Sequence, residues 1–164
     1  MHLTPDGSHL GADGRPGANV RFRPKADMGK GMPDQQPSMA DIAGAYIAAV
    51  RSGANYSHAR FDPIECWLDC RWDDLWLLIQ SVSALPEEID SLTLATVAAG
   101  PLENLLSKAP ASYADQVLTE AGRSPQLARM LTGVWPSSIV PETWERVVEF
   151  CRKVPDPIDG TYQY

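Results

Sequence analysis

Apolar residues recur along most of this chain at helical intervals. Ile42, Tyr46, Ile47 and Val50 form one stripe over Met39 to Ser52, with Ser38 in the N-cap position and Gly53 as a stop. A polar loop follows over 53–61. Asp62-Pro63 then supplies a cap and a first turn for a helix that carries Ile64, Trp67 and Leu68 on one face and ends near Arg71. Asp73 opens the next, where Leu75, Leu78, Ile79 and Val82 form a clean stripe up to Leu85-Pro86. Pro86-Glu87-Glu88 starts a further turn that Asp90 or Ser91 can recap, so one helix or two are open there.

The densest succession of start and stop signals runs from Leu92 to Trp135. The Ala-rich run Ser91–Ala99 meets Gly100-Pro101, which predicts one helix closing and another opening: Gly suits the left-handed position past a helix end, and Pro suits a first turn. Leu102, Leu105 and Leu106 then share a face, with Glu103 in the expected first turn. Pro110-Ala111-Ser112 predicts a stop and an N-cap, followed by Tyr113, Val117, Leu118 and Ala121 on one side and Gly122 as terminator. Ser124-Pro125 starts a helix with Leu127, Leu131 and Val134, ended by Gly133-Val134-Trp135-Pro136. Pro141-Glu142 opens a last one in which Trp144, Val147, Val148 and Cys151 share a face. The GP, SP and VP starts are not evenly spaced, which argues against a solenoid. No strand pattern emerges. The expectation is an all-α fold, an irregular bundle of about six to eight short helices.

The AAGPLENLL run, the polar spacer after it, a helix ending in Ala and a close in LTGVW carry a resemblance. Over Trp72 to Val148 the chain resembles a bacterial family of uncharacterised domains with an AAGPLE-LL core. The resemblance implies a helical fold and a bacterial source; it transfers no catalytic residue.

The ends have a different character. Residues 1–38 are Gly, Pro, Asp and Arg without periodicity, which predicts a disordered arm. NVRFRPKADM resembles a segment that recurs at the start of conceptual translations across a repeated DNA element, which would put the true start at Met32 or Met39. A basic arm over Arg21 to Lys30 is the functional alternative. The folded domain is expected over 39–154 and a tail over 155–164. No apolar run approaches the roughly 20 residues of a spanning helix, and no signal-peptide pattern opens the chain. Cytoplasmic location, without membrane attachment, is the expectation.

The net charge of −7 changes the picture only once it is divided. Residues 1–38 carry five basic and four acidic side chains, and the remainder carries nine and 17. An acidic domain repels phosphate backbones, so nucleic acid is not an expected partner.

Candidate chemistry is sparse. Cys66 and Cys70, four apart, are expected on one helix face, but the usual paired knuckle of a zinc site is missing. His58 is the one histidine outside the arm. No phosphate loop, nucleophile elbow or zinc-protease motif occurs, and neither a catalytic residue, a metal nor a cofactor is assigned. What stands out is one stretch: Trp67, Trp72 and Trp76 interleaved with Asp69, Asp73 and Asp74. Aromatic side chains beside carboxylates suit a protein partner, of an immunity-like or regulatory kind. The alternatives are a structural accessory domain without a ligand and a carboxylate or metal-dependent enzyme built around Glu65 to Asp74. Oligomeric state is not legible.

Overall fold

Amphipathic segments this short do not persist alone, and in the computed structural model they bury their apolar faces against one another. The structure describes residues 36–56, 61–136 and 138–158. Residues 1–35, most of the expected arm, lie outside the described residues, as does His58. Every regular element among the described residues is a helix: α1 (Met39–Ser52), α2 (Pro63–Leu68), α3 (Trp72–Ser83), α4 (Ser91–Val97), α5 (Glu103–Lys108), α6 (Ser112–Ala121), α7 (Pro125–Leu131) and α8 (Pro141–Cys151). A π-helical turn, Ala98–Leu102, joins α4 to α5. With these three segments taken as one continuous helix, the described residues form seven helices, and the fold is all-α.

Several boundaries follow the sequence directly. Ser38 and Asp41 form a reciprocal capping box at the start of α1, and Gly53 ends it with φ 68°. Asp62 caps α2 through the amides of Ile64 and Glu65, and Ser124 caps α7 through that of Leu127. The single turn after Pro86 is not helical; Asp90 is the cap that matters, accepting from the Thr93 amide and hydroxyl. Ser112 does not cap α6, whose N-cap position is held by Ala111 without a side-chain bond.

Three expectations are corrected. Gly100-Pro101 does not separate two helices. Pro101 has no N–H to give, and its ring would collide with the carbonyl four residues back in a regular helix. The turn widens instead, so that the Glu103 amide bonds to the Ala98 carbonyl, five residues back. Gly100 takes no left-handed conformation. Tertiary packing decides the outcome: Ala98, Pro101 and Leu102 are buried, and the π turn packs on α2, α3 and α7.

The second correction is at α2, which ends at Leu68 rather than near Arg71. The Arg71 amide bonds to the Cys66 carbonyl at 2.8 Å and the Cys70 amide to that of Trp67 at 3.2 Å, the paired bonds of a Schellman turn. Cys70 occupies its left-handed position with φ 55°, where glycine is the usual residue. Cys66 and Cys70 therefore do not share a face: Cys66 is buried and Cys70 is exposed. The third concerns residues 155–158, which composition placed in a tail. They dock on α7: the Ile158 amide bonds to Thr132 Oγ1 at 2.8 Å, and Asp156 Oδ2 lies 2.9 Å from Arg129 Nε.

The core lies around α3 and the continuous helix formed by α4, the π turn and α5. α1 packs on α3 and α4, α2 on α3 and the π turn, and α6 on α5, α7 and α8. Leu75, Leu78, Ile79 and Val82 of α3 meet Leu94, Val97, Leu102 and Leu105 in one buried cluster. α7 adds Leu127, Met130 and Leu131. Just after α7, a Cβ built on Gly133 would stand 3.1 Å from Ala98 Cβ and 3.4 Å from Ala95 Cα. The backbone there lies directly on small residues of α4 and of the π turn that follows it. Across the bundle, Arg51 reaches from the end of α1 to Glu87 at 3.1 Å and to Asp90 at 3.2 Å, tying α1 to the cap of α4.

Three outcomes are expected. Gly133→Ala destabilises by about 1 kcal/mol, the usual cost of overpacking a site that cannot fully relax, which denaturant midpoints measure. Cys70→Gly removes the left-handed penalty of roughly 1–2 kcal/mol, partly offset by the greater freedom glycine has in the unfolded chain; a net gain of up to about 1 kcal/mol is expected, together with loss of thiol labelling in the native state. The third concerns acid. The bonds from Thr93, reinforced by Arg51, hold the Asp90 carboxyl down at about 2. A group depressed in the folded state stabilises above its unfolded value and stops doing so as pH falls through the folded one. Asp90→Ala is therefore less stable than the wild type at neutral pH, and the gap closes as pH is lowered from about 4 to about 2.

Candidate functional site

The aromatic and acidic stretch folds into the corner between α2 and α3. Only six residues long and pinned by the Asp62 cap at one end and the Schellman turn at the other, α2 buries one residue fully, Cys66. The face expected to be buried turns outward. Ile64 is 64% exposed and Leu68 63%, one helical turn apart and so on the same side. Trp67 is half-buried beside them. Glu65, Asp69 and Asp73 are exposed as well.

The left-handed turn at Cys70 sends the chain directly into α3, and this sets the remaining candidates. Trp72 is half-buried and packs on the core, whereas Trp76 is only 6% exposed and belongs to the core itself. Asp73 and Asp74 occupy the first turn of α3, where the helix dipole favours negative charge. Arg71 lies between the carboxylates: its Nη1 is 3.1 Å from Asp74 Oδ2, and its Nε is 3.9 Å from Asp69 Oδ2. Asp73 Oδ1 accepts from the Tyr113 hydroxyl of α6. Burial, together with that carboxylate, pushes the Tyr113 phenol up to about 12. Cys70, Arg71, Trp72, Asp73, Asp74 and Tyr113 line an open pocket of about 310 Å³.

The structure thus brings Trp72, Asp73 and Asp74 together around one pocket, sets Trp67 and Asp69 on the neighbouring α2 side, and removes Trp76 to the interior. Tyr113 is the participant that sequence reasoning missed. It sits 40 positions from Asp73 and reads as one more apolar residue of α6, so no spacing rule could have found it. The chemistry of the corner is that of a charge network. Its aspartates are engaged by Arg71 and Tyr113, and among the described residues no group of three or more His, Cys, Asp and Glu is placed to hold a metal ion. Burial raises the Cys66 thiol, and it pushes that of Cys151 up to about 12, so neither is a ready nucleophile. No described helix is long and apolar enough to cross a membrane.

Comparison with known proteins places this corner inside a recognised unit. The matched region, residues 55–154, extends beyond the AAGPLE-centred span on both sides and takes in α2 to α8. No curated protein and no solved structure matches the chain. The chain belongs to a family of unknown function, DUF6869.

Proposed function

We propose that this domain is a protein-binding module whose contact face is α2 and the turn that leads into α3. The observation that carries the reading is the pair Ile64 and Leu68, each nearly two-thirds exposed on one face of a helix whose buried residue is a cysteine. Isolated exposed apolar residues are ordinary. Two large aliphatic side chains a turn apart, beside a half-exposed Trp67, form an anchor that a partner can cover. The surrounding charge selects the partner. From 61 to 78 the chain carries Asp62, Glu65, Asp69, Asp73 and Asp74 against one cation, Arg71. The fitting partner therefore offers apolar side chains ringed by Lys or Arg, and steering by the acidic rim weakens as salt screens it. An immunity-like or regulatory role in the cytoplasm suits such a face.

The test uses the full chain and the double variant Ile64→Ser/Leu68→Ser as parallel baits in lysate from the native cell, with folding of both checked by circular dichroism. One protein retained by the wild type, held at least about tenfold less tightly by the variant, is expected from the loss of two anchors of about 1 kcal/mol each. Asp69→Asn/Asp73→Asn should slow association and flatten its salt dependence. Equal retention by both baits would remove α2 as the contact face.

A further inference from the structure

At the other end of α3 lies a groove of about 540 Å³, between the loop that follows Ser83, the start of α7 and the C-terminal segment at 154–156. Its volume is within the range of small-molecule sites. Leu85, Leu94, Ala128 and Val154 supply apolar walls, and Arg129 is the cation on its lining. The Arg129 side chain is only 21% exposed. One guanidinium nitrogen donates to Ser91 Oγ at 2.8 Å, which fixes the group in place. Its Nε faces Asp156 Oδ2 at 2.9 Å, yet the two lie outside hydrogen-bond alignment. Asp156 itself is 75% exposed. A mostly buried, pre-oriented arginine is thus matched to a carboxylate that sits in water on a short segment and fits it poorly.

We infer that this groove is a binding site for a small carboxylate with a short apolar body, which takes the place of Asp156 on Arg129. Guanidinium and carboxylate form the strongest ordinary pairing when aligned. A free ligand can achieve the alignment that the tethered Asp156 does not, and its body covers the apolar walls. Exchange costs little, because Asp156 returns to water from a position already largely hydrated. Of the other acids on the lining, Glu87 is held by Arg51 at 3.1 Å, and Glu88 is exposed at the rim. Glu88 can face an ammonium group, so the same carboxylate chemistry fits an aliphatic amino acid as well as a simple aliphatic acid.

The experiment is calorimetric or NMR titration of the full chain with 4-methylpentanoate, leucine and the neutral 4-methylpentanamide. Saturable binding of at least one of the two carboxylates and none of the amide is expected, with leucine the tighter if Glu88 takes part. Arg129→Gln should weaken binding at least about tenfold, as loss of a charge-assisted bond does. Asp156→Asn, which removes the internal competitor and leaves the fold's contacts nearly unchanged in shape, should tighten it up to about fivefold. The proposal is overturned if neither carboxylate binds, if the amide binds as well as the acid, or if Asp156→Asn leaves the affinity unaltered. The last outcome does not depend on the stability of the arginine variant.

Discussion

The fold depends on the widened turn at Ala98–Leu102. A proline in a helix interior costs about 3 kcal/mol when the helix stays regular. Here the bulge relieves the collision and keeps the chain helical from Ser91 to Lys108, so one long element runs through the middle of the bundle. That element packs on α1, α2, α3 and α7 along its different segments. Its small residues matter as much as its large ones. Ala95 and Ala98 leave room for the backbone at Gly133, two residues past the end of α7. Thr132, the residue before Gly133, then holds the C-terminal segment through Ile158. A side chain at 133 would push these layers apart together.

Charge has a different role from packing in this molecule. Arg51 joins α1 to the α4 cap, Arg129 joins α7 to Ser91 and Asp156, and Arg146 of α8 meets Asp115 of α6. Such pairs, each with at least one partner exposed, contribute between nothing and about 1 kcal/mol apiece. They orient elements that the apolar core has already brought together.

Much of this was legible in the sequence wherever a local signal and the tertiary outcome agree. Ser38, Asp62 with Pro63, and Ser124 with Pro125 each mark a helix start in the structure. The stripe of α3 is buried as its spacing predicts. The misreadings have two physical sources. At Gly100-Pro101 a strong local stop signal is overridden by burial on three neighbouring helices. At Cys70 the left-handed turn carries a residue that gives no warning of it, so the helix end and the split of Cys66 from Cys70 were both hidden. The candidate site divides the same way. The stretch from Trp67 to Asp74 is contiguous in sequence and so meets at the α2–α3 corner, whereas Tyr113 arrives through a packing of α6 that no local pattern encodes.

The outward turn of Ile64 and Leu68 has a structural cause. A helix of six residues can press only one side against its neighbours, and α2 presses the side with Cys66. A small residue allows the approach to α3 and the π turn that a leucine would block. Burying a side chain the size of Ile or Leu is worth about 1.5–3 kcal/mol, so the domain forgoes a substantial stabilisation at each position. Stability therefore does not account for the aliphatic pair. On the proposed reading a covering partner would, because the same area removed from water on association recovers what folding left unused, with the acidic rim setting which surfaces can approach.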